Sequence, residues 1–144
     1  MSSSFRFLED IALADIAFEA EGDSIEALFQ GATRALLETM ADPLTVGAAW
    51  SQRSVKTEAV LEDLLVEWLS EIVYWKDAAG VVFSEVPLTL THAHDRWTLE
   101  AMLIGAPVDP AAQALRNDVK GITRHFYKIW QEGPVWKARV VVDV

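Results

Sequence analysis

The sequence contains no cysteine among its 144 residues. This absence excludes disulfide bonds, catalysis by a thiolate and zinc sites built from thiolate ligands. Long apolar runs are also missing: no stretch approaches the roughly 18 residues that a membrane-spanning helix needs, and the opening residues MSSSFR start no apolar segment of the signal-peptide kind. We therefore expect a cytoplasmic protein that makes no contact with a membrane.

Positive charge is scarce as well. Lys and Arg number 12 against 22 Asp and Glu, which gives a formal net charge of −10 at pH 7. Such an excess of negative charge repels a phosphate backbone, so we expect no direct binding of nucleic acid. Hydrophobic residues at 51% and charged residues at 24% are typical of a folded globular chain. Together with the length, this composition predicts one domain over residues 1–144.

Two stretches have the residue spacing of amphipathic helices. In the first, apolar residues recur every three or four positions from Ile25, and Pro43 disfavours a helical backbone at Asp42, which predicts a helix that ends by residue 41. In the second, which begins at Leu61, the apolar side chains span an arc of about 200° when they are placed about 100° apart. One neighbouring element does not need so wide an arc, so we expect this helix to be covered on two sides.

Much of the remaining chain has the polar and apolar alternation of half-buried strands. The pairs His94-Asp95 and Gly133-Pro134 predict hairpin turns, and Asp109 followed by Pro110 predicts a short helix over residues 111–115. Residues 9–14 between the first two strands are loop-like. Helices and strands without regular alternation predict an α+β fold. The predicted strands are residues 5–7, 16–20, 53–59, 81–86, 88–92, 97–104, 121–130 and 136–144.

Signatures of common catalytic sites are absent from the sequence. It has no Gly-x-Ser-x-Gly nucleophile elbow, no phosphate-binding loop with Gly-Lys and no Gly-x-Gly-x-x-Gly turn. The six tryptophans lie in or beside apolar patterns, which favours packing in the core over stacking on bases.

The three histidines are weaker candidates for a metal site than the acidic residues. His92 and His94 lie two positions apart beside a predicted turn, but a zinc triad would need a carboxylate as its third ligand, and solvated histidines are more frequent at such turns. His125 lies in a predicted strand. Partial burial with a hydrogen bond to the backbone is the more frequent condition there, and proton transfer is the less frequent one.

Three acidic groups stand beside apolar strands. Asp15 directly precedes the strand that begins at Ile16, Asp143 follows three valines, and Val144 carries the main-chain carboxylate. Each group is either a solvated charge at the edge of a sheet or a metal ligand at the rim of a site. If the three approach one another, they repel unless a cation or a lysine lies between them, and Lys120 is the nearest basic candidate by pattern. Ligands that are all oxygen suit Mg²⁺, Ca²⁺ or Mn²⁺ better than zinc.

Several segments, taken in order, resemble the archease family. No single piece is specific, but the ordered set covers nearly the whole chain. The matching segments are residues 7–9 (FLE), 14–20 (ADIAFEA), 22–29 (GDSIEALF), 69–71 (LSE), 80–83 (GVVF), 119–125 (VKGITRH) and 136–144 (WKARVVVDV).

The resemblance implies a fold and a function. The implied fold is a single α+β domain with two main amphipathic helices packed between β layers, in mostly antiparallel or mixed sheets. The implied function is that of an accessory protein with no catalysis of its own, which activates a GTP-dependent RNA-splicing ligase of the RtcB type. It promotes guanylylation of the ligase's histidine and multiple turnover in tRNA splicing or RNA repair.

The resemblance also assigns site residues. It places a divalent metal ion, Ca²⁺, Mg²⁺ or Mn²⁺, at Asp15, Asp143 and Val144, and it gives Lys120 and His125 a part in activating the partner. The chain departs from the family at two motifs. It reads Ala-Leu-Ala-Asp over residues 12–15 where many members read His-Thr-Ala-Asp, and Thr-Arg-His over residues 123–125 where many read Thr-Tyr-His.

Two other functions are compatible with the residues alone. The first is an independent metal-dependent phosphoester hydrolase that uses the same carboxylates with His125 as general base. The second is a structural interaction domain whose acidic rim is only solvated.

Overall fold

The computed structural model describes residues 2–8 and 15–144. The loop-like residues 9–14, and with them residues 12–14 of the departing motif, lie outside the described residues. The elements run in chain order as β1 (Ser3–Leu8), β2 (Asp15–Gly22), α1 (Ile25–Met40), a 3-10 turn (Pro43–Thr45), β3 (Trp50–Glu58), α2 (Leu61–Ala79), β4 (Val81–Glu85), β5 (Leu88–Ala93), β6 (Arg96–Pro107), β7 (Gly121–Glu132) and β8 (Val135–Asp143).

The strands form two sheets, and every pairing among the described residues is antiparallel. Sheet A has the order β1-β2-β8-β7, so the last strand of the chain lies inside the sheet. In sheet B, β6 pairs with β3 along one side and with β4 and β5 in succession along the other. The turns at residues 94–95 and 133–134 join hairpins as predicted.

The two helices lie between these sheets. Helix α1 packs against β1, β2 and β8 of sheet A and against β4 and β5 of sheet B, and α2 packs against β7 on one side and β3, β4 and β6 on the other. The expectation that α2 is covered on two sides is therefore confirmed, as is the α+β class with helices between β layers. Neither helix is long and apolar enough to cross a membrane.

The helix ends follow from local chemistry. The Ser24 hydroxyl accepts a hydrogen bond from the Ala27 amide at 3.0 Å and caps the start of α1, which ends at Met40 as Pro43 predicted. Helix α2 ends at Gly80, whose φ of 64° is a left-handed conformation that suits glycine. Trp68 of α2 is fully buried, and Trp50, Trp75, Trp97 and Trp136 pack against the core, which agrees with the predicted use of most tryptophans.

The predicted short helix over residues 111–115 is wrong. The Asp109 carboxylate does accept a hydrogen bond from the Ala111 amide at 3.1 Å, but only one turn follows. The chain then runs beside the end of α1, where the Arg116 amide donates to the Met40 carbonyl at 2.9 Å. One isolated turn gains few hydrogen bonds for the backbone it fixes, so the free carbonyls at the end of α1 are the better partners.

Candidate functional site

The first residue of β2 and the last residue of β8 meet at one end of sheet A. Asp15 and Asp143 are direct register partners in the antiparallel pairing of these strands. Opposed residues in such a pair point to the same face, with Cβ atoms about 4.5–5.5 Å apart. The structure therefore brings together two carboxylates that are 128 positions apart in the sequence.

The strand alternation shows which face carries these carboxylates. Val140 and Val142 of β8 are buried in the core against the helices, so Asp143 points to the outward face of sheet A. Asp143 is exposed and Asp15 is half-buried. Val144 follows directly and packs partly against the core. The carboxylate pair is thus open to a ligand or to a partner.

Lys120 joins the same end of the sheet through its backbone. Gly121 of β7 is the register partner of Asp143, and the Lys120 amide donates to the Asp143 carbonyl at 2.8 Å. The Lys120 side chain is exposed, and within residues 2–8 and 15–144 no ion pair joins its ammonium to a carboxylate. Asp15, Asp143, Val144 and Lys120 therefore form one group, which we call the carboxylate end.

A buried lysine of α2 fixes the segment that leads into this end. Lys76 is only 9% exposed, and its ammonium donates to the Asp118 carboxylate and the Val119 carbonyl, each at 2.6 Å. Burial lowers the pKa of Lys76, but its hydrogen bonds to Asp118 and Asp77 outweigh that effect and raise the pKa overall. The Lys76 ammonium lowers the pKa of Asp118 in turn. The pair thus stays charged and holds the chain two residues before Lys120.

His125 lies in an irregular part of β7. The register between β7 and β8 shifts between Thr123 and Lys128, and Phe126 within this bulge has a φ of 58°. The interpretation of His125 as a partly buried histidine is wrong, because the bulge turns it out of the sheet and leaves it exposed. Its amide donates a hydrogen bond to the Thr123 hydroxyl at 3.0 Å.

Sequence reasoning missed the bulge, although the sequence held a signal. Ile122 packs against the core from an even-numbered position, whereas Tyr127 and Ile129 do so from odd-numbered positions. Side chains in a regular strand alternate between faces, so this change of parity requires one extra residue between them.

The other two histidines lie away from the carboxylate end, in the β5–β6 hairpin of sheet B. The His92 ring stacks on Trp97 with centroids 4.0 Å apart, and His94 occupies the turn. In the part of the chain that the structure describes, no group of three or more His, Cys, Asp or Glu side chains is arranged to hold a metal ion. The carboxylate end therefore offers two side-chain carboxylates, and further oxygen ligands must come from the main chain or a partner.

The chemistry of this donor set fits a hard divalent cation. All its available donors are oxygen atoms, and a cation between them offsets the repulsion of neighbouring carboxylates. Asp15 and Asp143 would hold the ion, with Val144 as a further oxygen donor.

In comparison with known proteins, residues 5–144 match the Archease protein family. The chain belongs to the archease family. The protein archease of Methanopyrus kandleri is 31% identical over 134 residues, which cover 91% of this chain and 94% of that protein. The protein archease of Methanothermobacter thermautotrophicus is 30% identical over 131 residues, covering 91% of this chain and 93% of that protein.

Solved structures of family members share the fold. The solution structure of Methanobacterium thermoautotrophicum protein 1598 superposes with a TM-score of 0.84 at 30% identity, and the match covers 98% of this chain and 99% of that one. The crystal structure of an archease, described as a possible chaperone, from Thermotoga maritima gives a TM-score of 0.60 at 21% identity over 96% and 98% of the two chains. The second likeness concerns the fold alone. The family resemblance that the sequence motifs carried is thus confirmed.

Proposed function

We propose that this archease-family protein activates a GTP-dependent RNA ligase of the RtcB type. In this proposal it is an accessory protein in tRNA splicing or RNA repair, and it promotes guanylylation of the ligase's histidine and multiple turnover. Family membership supports an accessory role of this kind. The observation that carries the proposal is the register pairing of Asp15 with Asp143 at one end of sheet A, where Asp143 is exposed and Asp15 is half-buried.

The proposal assigns a divalent ion to the carboxylate end. Asp15, Asp143 and the Val144 carboxylate would hold Ca²⁺, Mg²⁺ or Mn²⁺, and the bound ion would stabilise the charge of GTP phosphates in the ligase's nucleotide pocket. The chain's own residues have simpler tasks. The two aspartates present oxygen donors at the rim, and the hydrogen bond between the Lys120 amide and the Asp143 carbonyl keeps Lys120 beside them.

A reconstituted guanylylation assay tests the carboxylates. We expect the wild-type protein to raise the guanylylated fraction of the ligase in the presence of GTP, and Asp15→Asn and Asp143→Asn each to lower the stimulation by about 10–100-fold, because each removes a ligand charge. Asp95→Asn is the matched control, since Asp95 is an exposed acid in the β5–β6 turn of the other sheet. Equal stimulation by the wild type and by both site variants would reject the mechanism.

The same protein preparation distinguishes an activator of the ligase from an independent phosphoester hydrolase. The isolated protein is incubated with phosphoester substrates with and without a chelator. Turnover that disappears on chelation would favour an enzyme over an activator, whereas no turnover together with stimulation of the ligase supports the proposal.

A third measurement tests the contribution of Val144. We expect Ca²⁺ or Mn²⁺ to raise the thermal midpoint of the wild-type protein, since a ligand that binds only the folded state stabilises it. A Gly-Ser extension after Val144 moves the main-chain carboxylate away and should reduce this shift while leaving the midpoint in chelator unchanged. An interaction domain with a solvated rim predicts no shift in either protein.

A further inference from the structure

Phe126 is held in a conformation that phenylalanine disfavours. Its φ of 58° lies in the left-handed region, where a Cβ atom crowds the backbone and a bulky residue is strained. Glycine or asparagine would adopt this backbone conformation with less strain. The fold thus carries a local strain at this residue.

Four contacts keep the bulge in place despite this strain. The Tyr127 hydroxyl donates to the Glu62 carbonyl at 2.7 Å, and the Arg124 guanidinium lies 3.0 Å from the Asp63 carboxylate, which ties both residues to the first turn of α2. Two more contacts come from sheet A. Arg139 Nε donates to the Phe126 carbonyl at 2.8 Å, and the His125 amide donates to the Thr123 hydroxyl. The conformation is therefore fixed from both sides of the strand.

The fold gains little from the Phe126 ring itself. The side chain is 49% exposed and does not belong to the core cluster, whereas its neighbour Tyr127 packs against that cluster. The only aromatic ring close to Phe126 is that of the exposed His125, at 4.1 Å between centroids among the described residues. Backbone strain that supports an exposed aromatic ring indicates a use outside the fold.

Charge distribution identifies the kind of partner. Residues 120–144 carry five Lys and Arg against two acidic residues, whereas the other 119 residues carry seven against twenty. Residues 120–144 are thus formally positive on a strongly acidic molecule, with Arg124 paired to Asp63 and Lys137 paired to Glu132. Phe126 lies in this region, and the carboxylate end lies at one end of it. A partner that docks across the region therefore meets basic side chains near Phe126 and the carboxylates of Asp15 and Asp143 at the other end.

We infer that Phe126 is an aromatic anchor that inserts into an apolar pocket on the surface of the partner ligase. This inference rests on the proposed function and specifies its contact surface. The neighbouring charges then set the orientation: basic groups of the ligase face Asp15 and Asp143, and neutral or acidic groups face Arg124 and Lys128. Aromatic residues that fill a partner's pocket supply much of the affinity of an interface, and charges around them fix its register.

A titration of ligase activation tests the anchor. Phe126→Gly removes both the ring and the strain, so we expect an unchanged or higher thermal midpoint together with a rise of at least about tenfold in the concentration that gives half-maximal stimulation. The maximal stimulation should stay unchanged, because the carboxylate end is intact. Phe126→Tyr keeps a ring and should retain wild-type affinity.

Asp95→Gly is the control for strain relief. Asp95 also has a positive φ, 60°, but it lies in the β5–β6 turn of sheet B. This variant should be as stable as the wild type or more stable, with the same half-maximal concentration. If it weakened activation like Phe126→Gly, the loss would come from backbone loosening and the anchor would be rejected.

The remaining outcomes are decisive as well. Unchanged half-maximal concentration for Phe126→Gly, or unfolding of that variant, would overturn the anchor while leaving the proposed function intact. If the wild-type protein itself gave no stimulation, the proposed function would fail and the anchor with it. Binding of single-stranded RNA by the isolated protein that Phe126→Gly abolishes would mean that the ring stacks on bases, which contradicts a pocket on the ligase.

Discussion

At the scale of single residues, one polar contact joins the two buried helices. The Trp68 indole N–H donates to the Thr33 hydroxyl at 2.9 Å, and this hydroxyl donates to the Phe29 carbonyl at 2.7 Å. We expect Thr33→Val to lower the free energy of unfolding by about 1–3 kcal/mol, because it leaves a buried indole N–H without a partner. Urea denaturation of Thr33→Val, Trp68→Phe and the double variant measures the coupling, and additive losses would contradict a shared hydrogen bond.

A second residue-scale prediction concerns close backbone approach. A Cβ atom at Gly105 would overlap the Val82 carbonyl oxygen, where β4 pairs with β6. Gly105→Ala should therefore destabilise the protein by about 1–3 kcal/mol or more, since backbone atoms cannot move aside easily. Gly47→Ala is the control, because its Cβ would come no closer than 4.0 Å to the atom nearest it. Equal thermal midpoints for the two variants would show that β4 shifts freely.

At the scale of elements, α2 and the segment before β7 are joined by a charged pair with a defined pH dependence. Because the pKa of Asp118 is lowered in the folded protein, the pair contributes stability above the ordinary aspartate pKa of about 3.9 and loses it as the pH falls through the lowered value. At the alkaline end, the raised pKa of Lys76 preserves the contribution until the pH rises through it.

Asp118→Asn isolates this contribution. Asp118 is 81% exposed and therefore screened by water, so we expect the wild type to exceed the variant by less than about 1 kcal/mol at pH 7. The difference should shrink towards zero as the pH is lowered below the depressed pKa of Asp118. Unfolding free energies from urea titrations at the two pH values provide the measurement. A difference that grew under acid would contradict the direction of the Asp118 shift.

The elements also show where prediction from sequence succeeds and where it stops. Both helices were predictable because their apolar period is local and because Pro43 and Gly80 mark their ends. The single turn after Asp109 was not predictable, because the chain that follows it forms hydrogen bonds with the carbonyls at the end of α1 instead of continuing as a helix. The carboxylate end was foreseen as a possibility, but only the β2–β8 register brings Asp15 to Asp143. The change of parity between Ile122 and Tyr127 signals a bulge in β7, but strand alternation does not give the left-handed backbone of Phe126.

At the scale of the whole molecule, the net charge of −10 and its uneven distribution predict salt-dependent association. We expect the rate constant for association with the ligase to fall by about tenfold or more between 0.05 and 0.5 M salt, because long-range attraction is screened. The dissociation rate constant should change much less, since rim charges act mainly on encounter. Stopped-flow kinetics gives both constants. An association rate constant that does not change with salt concentration would contradict electrostatic attraction between the two proteins.

The position of β8 between β2 and β7 has a consequence for synthesis. Sheet A cannot assemble until residues 135–143 have left the ribosome, although its first hairpin is translated at the outset. A nascent chain that stops early exposes Phe18, Leu28 and Trp68, which are fully buried in the finished protein. Such a fragment also lacks Asp143. The paired aspartates can therefore form only after residue 143 has been translated.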